Sequence, residues 1–160
     1  FYQNSTCFFL AYFLIHHPKI LKRVQQWENA GNHIQGIQID FDAKTKHIHQ
    51  YALFLSQLRK QLPQHYQLSI TGLMDWTNVT NQGTLNLLNN TIDELVIQTY
   101  QGSTTIPNYA AYLKKVSALK LPYKIGIVQY GEWHRPPKLE NDKNFKGYVV
   151  FLLRSKPQNN

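Results

Sequence analysis

Short apolar segments alternate with longer amphipathic segments along the chain. The apolar segments are rich in Ile, Val, Phe and Tyr, as buried β-strands are. Their nearly continuous hydrophobicity is typical of parallel strands that are covered by helices. Strands are predicted over residues 8–15, 35–42, 67–74, 94–100, 124–130 and 147–153.

The segments between these strands repeat apolar residues three and four positions apart, which is the spacing of one helix face. The first of them opens with Pro18 and closes at Gly31, in agreement with the residues preferred at helix ends. The connection at residues 135–144 contains two adjacent prolines and is predicted to be a loop. Helices are predicted over residues 18–30, 49–62, 83–90 and 108–119.

Strand–helix alternation leads either to an open, doubly wound sheet or to a (β/α) barrel. No glycine-rich phosphate loop follows any of the strands, which disfavours the nucleotide-binding open sheets. A complete barrel needs about 250 residues, and the chain has 160. The expected fold class is therefore α/β, of the (β/α)8 TIM-barrel type, present as a partial barrel of about strands 3 to 8. This domain is expected over residues 1–154, followed by a polar tail at residues 155–160.

The chain is basic, with a net charge of +8 and a pI near 9.6. Its Lys and Arg occur in small groups on the predicted helices, without interleaved aromatic residues or a known nucleic-acid motif, so no nucleic-acid partner is expected. The single cysteine, Cys7, excludes an internal disulfide and a cysteine-based zinc site. His47 and His49 lack a third ligand at suitable spacing, so no metal and no cofactor are predicted.

The longest apolar run, at residues 8–15, is too short for a membrane span, which takes about 20 residues in a helix. As the first strand of a fragment it would expose an edge that favours self-association. No targeting segment is predicted within the sequence. The compartment is therefore left open, and would be periplasmic or extracellular if a signal peptide precedes residue 1.

Three polar residues share one face of the strand at residues 35–42. Gln38, Asp40 and Asp42 alternate with apolar residues, so their side chains point the same way. Enzymes built on parallel strands place their chemistry at the carboxyl ends of those strands. The two carboxylates should repel each other, so one is expected to hold a proton and act as a general acid. The alternative is structural: Asp42 caps the next element and Asp40 joins a hydrogen-bond network.

Three further strands also end in acidic, amide and aromatic residues. Aromatic faces combined with carboxylates and amides suit sugar rings, which stack through C–H groups and hydrogen-bond through hydroxyls. The predicted substrate-binding residues are Gln38, Asp75, Trp76, Gln98, Gln101, Gln129, Glu132 and Trp133.

Two strand motifs resemble known families. Residues 36–42 resemble the fourth-strand signature Asp-Gly-x-Asp-x-Asp-x-Glu of the chitinase-like family 18 glycoside hydrolases, and residues 97–100 resemble that family's Met-x-Tyr-Asp segment. The chain is also similar to a group of uncharacterised bacterial proteins with a glycosidase-like barrel. Those proteins carry a Gly-x-Gln-x-Asp-x-Asp strand and a Gln-x-Tyr-Gln-Gly strand, as this chain does at residues 36–42 and 98–102.

The resemblance implies roles for three residues. Asp42 falls on the catalytic acid, and Asp40 falls on the residue that orients the acetamido group of the substrate. Tyr100 falls on the tyrosine that hydrogen-bonds the same group. In such enzymes the acetamido carbonyl of the substrate attacks the anomeric carbon while the acid protonates the glycosidic oxygen.

The expected function is that of a glycoside hydrolase-like domain acting on a polysaccharide or glycoconjugate, with Asp42 as candidate general acid. The alternative is a carbohydrate-binding barrel that has lost its hydrolase activity, so the sequence leaves open whether the chain is an enzyme. A polyanion binder is the third hypothesis, which a steep dependence of binding on salt would identify.

Overall fold

The computed structural model describes residues 18–154. Its first helix, α1, occupies residues 18–29. The elements that follow are β1 (Gly36–Ile39), α2 (Ile48–Gln61), β2 (Gln67–Leu73), α3 (Gln82–Asn89), β3 (Glu94–Gln98), β4 (Tyr100–Gln101), β5 (Thr104–Thr105), α4 (Tyr109–Leu113), β6 (Tyr123–Val128) and β7 (Phe145–Phe151). Short 3-10 turns lie at Thr45–His47, Met74–Asn78 and Val116–Leu119.

Five of the strands form one parallel sheet in the order β1-β2-β3-β6-β7. The two short strands β4 and β5 pair antiparallel as a separate hairpin between β3 and α4. The predicted α/β class and the parallel pairing of the strands are thereby confirmed for the described residues. The predicted strand at residues 8–15, its self-association and the tail at residues 155–160 lie outside the described residues.

The predicted partial (β/α)8 TIM barrel is wrong. Within residues 18–154 the sheet is open: β1 and β7 are its two edges, and no pairing joins them. Closure depends on the tilt and stagger that bring the first and last strands together. Hydrophobic periodicity reports only which elements alternate, and open and closed parallel sheets share that alternation. The absence of a phosphate loop argues only against a bound nucleotide. It does not distinguish an open sheet from a closed barrel.

One face of the sheet, which we call the helix face, carries the core. Neighbouring strands are in a register that aligns their inward-pointing apolar residues, and these pack with side chains from α2, α3, α4 and their connections. Each side chain of this row is at most 1% exposed, and burying one stabilises the fold by roughly 2 kcal/mol. The row consists of Leu68, Ile70, Leu95, Ile97, Tyr123 and Ile125.

The opposite face, which we call the polar face, presents hydrophilic side chains on β1 and β2 and at the starts of β3 and β6, and it also carries the buried Val96 and Val128. On it Gln38 Nε2 donates to Ser69 Oγ at 3.1 Å, and Lys124 Nζ lies 2.8 Å from Glu94 Oε2. This arrangement follows from the alternation of side chains in a strand, because Gln38 pairs with Ser69 in the register of β1 and β2.

Several elements differ from the predicted ones. The strand expected at residues 35–42 ends at Ile39, so Asp40 and Asp42 lie beyond it, and the strand expected at residues 94–100 ends at Gln98. The helix expected at residues 108–119 is divided into α4 and the 3-10 turn Val116–Leu119, and it starts from Asn108 in a left-handed conformation, at φ 60°. Strand β7 starts two residues before its predicted limit, because Gly147, at φ 112°, accommodates a register shift that interrupts the apolar pattern. Residues 135–144 form turns, as predicted. No helix among the described residues is long and apolar enough to cross a membrane.

Candidate functional site

The carboxyl ends of the parallel strands meet at one edge of the sheet, which we call the C-terminal edge. A cleft of about 760 Å³ opens there, between the turn that follows β2 and the segment from the β4–β5 hairpin to α4. Crevices at this edge are the usual ligand sites of parallel α/β sheets. The cleft is lined by Leu73, Met74, Asp75, Asn78, Gln98, Tyr100, Ile106, Pro107, Asn108, Ala111, Tyr112 and Lys115.

Asp40 and Asp42 follow β1 at the same edge. Asp40 accepts a hydrogen bond from Thr71 Oγ1 at 2.7 Å, and Thr71 itself is buried on β2. This bond holds the Asp40 carboxylate over the end of the neighbouring strand. The side chains of Asp40 and Asp42 are both exposed to solvent.

Tyr100 lines the cleft, and the charges of both carboxylates act on its hydroxyl. Burial, followed by the negative charges of Asp40 and Asp42, raises the pKa of Tyr100 to about 12. The phenol therefore keeps its proton at neutral pH and can donate a hydrogen bond. The three residues predicted to be catalytic therefore lie within electrostatic range of one another at the C-terminal edge, although Tyr100 lines the cleft and Asp40 and Asp42 do not.

The ring of Tyr100 rests against Phe151 at the end of β7, with 5.1 Å between the ring centroids. Strand β6 lies between β7, which carries Phe151, and β3, which precedes Tyr100. Gly126 of β6 has no side chain that would separate the two rings. A Cβ at Gly126 would lie 3.2 Å from both the Phe151 ring and Val96. The glycine therefore lets Phe151 reach across the sheet and support Tyr100.

Asp75 and Gln98 are further predicted residues that line the cleft. Thr45 Oγ1 donates to Asp75 Oδ2 at 2.6 Å, which ties the turn after β2 to the one after β1. The other oxygen, Asp75 Oδ1, is shielded from solvent and has no hydrogen-bond partner among the described residues. Gln98 Nε2 donates to the backbone oxygen of Tyr100 at 3.3 Å.

Trp76 and Gln129 have structural positions instead. Trp76 is only 1% exposed, and its Nε1 donates to the backbone oxygen of Ala43 at 2.7 Å. The 3-10 turn after β2 directs its ring into the core, where it is not available as a platform for a sugar. Gln129 Oε1 accepts from the backbone N–H of Leu153 at 3.0 Å and holds the chain that leaves β7.

Of the remaining predicted residues, Gln38 lies exposed on the polar face and Gln101 lies exposed in the hairpin. Glu132 is also exposed, and it lies 3.5 Å from His134 Nδ1. Trp133 is half-buried and stacks on Tyr109, with 4.7 Å between the ring centroids. These side chains do not line the cleft that contains Tyr100.

Several residues of the cleft were not predicted from the sequence. Lys115 Nζ donates to Asn78 Oδ1 at 3.1 Å across the cleft. Asn78 and Asn108 follow strand ends, so the rule that ligands bind at the C-terminal edge could have identified them. Tyr112 and Lys115 belong to an amphipathic segment, where their spacing indicates only a helix.

The comparison with protein families gives one result. Residues 14–131, more than half of the chain, match the model of a domain of unknown function, DUF3142. The chain belongs to the DUF3142 family. No curated protein and no solved structure matches it. In this DUF3142 chain the match contains Asp40, Asp42, Asp75 and Tyr100 and ends before β7.

The carboxylates of this DUF3142 chain differ in their cationic partners. Among the other carboxylates, Asp93 pairs with Arg59, Glu94 with Lys124 and Glu140 with Arg135. Within residues 18–154, no Lys or Arg forms an ion pair with the carboxylates that end the strands, although the chain has 17 Lys and Arg and only 9 Asp and Glu. The carboxylates in question are Asp40, Asp42 and Asp75. The same part of the chain contains no group of three His, Cys, Asp or Glu that could hold a metal ion.

Proposed function

We propose that the chain is a glycoside hydrolase-like protein that takes an acetamido-bearing polysaccharide or glycoconjugate into the cleft at the C-terminal edge. The observation that carries this proposal is the position of Tyr100. This residue lines the cleft, and the negative charges of Asp40 and Asp42 contribute to its raised pKa. A protonated phenol beside two carboxylates offers both a donor and acceptors to the polar groups of one sugar.

Asp42 is the proposed proton donor. Its carboxylic acid gives a proton to the glycosidic oxygen while the acetamido carbonyl oxygen of the same sugar attacks the anomeric carbon and the glycosidic C–O bond breaks. Water then attacks the anomeric carbon, opens the ring formed by the acetamido group and returns a proton to the Asp42 carboxylate. Atoms and charges balance, because the net reaction is the addition of one water molecule across the glycosidic bond.

Asp40 and Tyr100 orient the acetamido group in this proposal. The Asp40 carboxylate is held by Thr71 and accepts from the amide N–H of the sugar. The hydroxyl of Tyr100 donates to the carbonyl oxygen of the acetamido group, since its pKa of about 12 keeps it protonated. Asp75 also lines the cleft, but its oxygen without a partner among the described residues, Oδ1, is shielded from solvent, so the side chain has to turn before that oxygen accepts from a sugar hydroxyl.

A second candidate function is carbohydrate binding without hydrolysis. It is favoured by the exposure of Asp42, because an acid that holds its proton at neutral pH usually sits in a poorly solvated site. The substrate itself would have to supply that desolvation when it covers the cleft. The two functions share the cleft and differ only in the contribution of Asp42.

Oligomers of N-acetylglucosamine test both functions. Calorimetry measures the binding of the disaccharide, and chromatography measures the hydrolysis of the tetrasaccharide. Asp42→Asn should lower turnover by about 100-fold or more, because the proton donor is lost. Its affinity for the disaccharide should stay within about twofold of the wild type, which is well under 1 kcal/mol.

Glu140→Gln is the matched control, since it removes one exposed carboxylate that does not line the cleft and that pairs with Arg135. It should leave both turnover and binding unchanged. Binding without turnover in the wild type would replace the hydrolase by the binding function. Failure of the wild type to bind either oligomer would reject both functions.

A further inference from the structure

A second cleft, of about 450 Å³, adjoins the first at the C-terminal edge. It lies between the β4–β5 hairpin and the loop that follows β6, and it shares residues 106–108 with the first cleft as a common wall. Polar groups of Ser103, Thr104 and Glu132 line it, together with the aromatic ring of Tyr130. The two clefts are therefore neighbouring depressions on one surface.

The loop that follows β6 is fixed against the hairpin. A Cβ at Gly131 would lie 2.6 Å from Thr105 Oγ1 and 2.6 Å from Val128 Cγ1, so the backbone packs there without space for a side chain. Tyr109 Oη donates to the backbone oxygen of His134 at 2.8 Å, and it accepts from the backbone N–H of His134 at 2.6 Å. The second cleft is therefore held by packing and hydrogen bonds from both sides.

Tyr130 has an unusual backbone conformation at the rim of this cleft. Its φ is 65°, in the left-handed region, where residues with a Cβ are disfavoured by about 1 kcal/mol. Its side chain is 61% exposed, so burial of the ring in the core does not offset this strain. Strained residues persist at ligand sites when the side chain is needed there. Asn108, in the shared wall, is also left-handed, at φ 60°.

We infer that the second cleft is a binding subsite for the next sugar of the oligosaccharide that occupies the first cleft, with Tyr130 as its stacking platform. This inference rests on the proposed function and adds that the protein binds at least two successive sugars of a polymer. The exposed ring offers an apolar surface to the C–H face of a sugar. Ser103, Thr104 and Glu132 supply donors and acceptors for its hydroxyls.

The test compares the disaccharide and the tetrasaccharide of N-acetylglucosamine by calorimetry. The wild type should bind the tetrasaccharide about tenfold more tightly than the disaccharide. Only the longer ligand reaches the ring of Tyr130, and such an aromatic contact raises affinity by roughly tenfold. Tyr130→Asn removes the ring while keeping a residue that tolerates positive φ, so it should fold at least as stably as the wild type. This variant should lose the gain from length and keep the affinity for the disaccharide.

Two further variants distinguish the effect of the Tyr130 ring on affinity from the effect of relieving left-handed backbone strain. Tyr130→Phe keeps the ring and should retain at least half of the affinity for the tetrasaccharide. Lys120→Asn relieves the left-handed strain of Lys120, at φ 53°, on the segment that leads into the amino end of β6, and it should change neither affinity.

The outcomes distinguish the inference from the proposed function. If neither oligomer binds, the proposed function fails and the inference fails with it. If both bind equally tightly, or if Tyr130→Asn weakens both to the same extent, the second subsite is rejected while the carbohydrate site stands. An effect of Lys120→Asn as large as that of Tyr130→Asn would also reject it.

Discussion

The carboxylates at the two ends of the parallel sheet have different surroundings. At the amino end, Asp142 accepts from Ser117 Oγ at 2.5 Å, from Tyr123 Oη at 2.8 Å and from the backbone N–H of Asn144 at 2.9 Å. Asp93 accepts from the backbone N–H of Leu68 at 2.7 Å and pairs with Arg59. These carboxylates fasten the connections to the strands that they precede.

At the C-terminal edge, the described residues supply Asp40 with one hydroxyl donor and leave one oxygen of Asp75 without a partner. The same side chain therefore serves two purposes in one sheet. Where its acceptors are filled by the protein it stabilises the fold, and where they are not it can receive the donors of a ligand. The aspartates at the two ends of the sheet differ in the number of their hydrogen-bond and ion-pair partners, although the residue type is the same.

The largest effect on stability is expected at the amino end. Asp142→Asn should lower the free energy of unfolding by about 1.5 kcal/mol, because a neutral amide replaces the charged acceptor of three hydrogen bonds in a partly solvated site. Urea denaturation followed by circular dichroism measures this loss.

The pH dependence provides the control for Asp142. Burial alone would raise the pKa of the Asp142 carboxyl, but the hydrogen bonds from Ser117, Asn144 and Tyr123 outweigh burial and lower its pKa. The stability it contributes is thus complete above about pH 3.9, the value of an unfolded aspartate, and is lost as the pH falls through the lower native pKa. A difference between wild type and variant that is constant from pH 2 to pH 7 would contradict this account.

A smaller effect is expected on Tyr100. Asp40→Asn should lower the pKa of Tyr100 from about 12, since one of the two negative charges that raise it is removed. The pKa should stay above the ordinary value of 10, because burial is the largest cause. NMR of Cζ-labelled tyrosine between pH 10 and pH 11 would show partial ionisation in the variant alone. An unchanged titration would place Asp40 too far from Tyr100 to share a substrate with it, and Glu140→Gln is again the matched control.

The smallest effect on stability is expected for Asp42→Asn, the variant that should lower turnover most. Because Asp42 is exposed, the free energy of unfolding of the variant should stay within about 0.5 kcal/mol of the wild-type value. The same urea titration measures it. A loss comparable to that of Asp142→Asn would assign Asp42 to the structure and erase the contrast between the two ends.

Local patterns predicted the elements and the faces well. The alternation along β1 correctly placed Gln38 on the face opposite the core, where it meets Ser69 of β2. Asp40, the first residue after β1, still reaches Thr71 on that face, although the predicted strand extended to Asp42. Strand parity suffices for this, since it needs no knowledge of distant residues.

The same reasoning failed where the chain leaves the strand. Trp76 lies in the 3-10 turn Met74–Asn78, whose backbone no longer alternates, and the turn rotates its ring into the core. The helix at residues 108–119 was interrupted by turns that hydrophobic spacing does not report. Closure of the sheet was beyond any local pattern, because it depends on contacts between the first and last strands.

The contact between Phe151 and Tyr100 has a consequence for how this domain varies among relatives. The family match ends at residue 131, yet the ring that supports Tyr100 comes from β7, beyond that boundary. Positions 100, 126 and 151 form one steric unit, because the missing side chain of Gly126 makes room for Phe151. We therefore expect covariation: homologues with a larger residue at position 126 should carry a smaller one at position 151. The evolutionary unit of DUF3142 should then extend through β7.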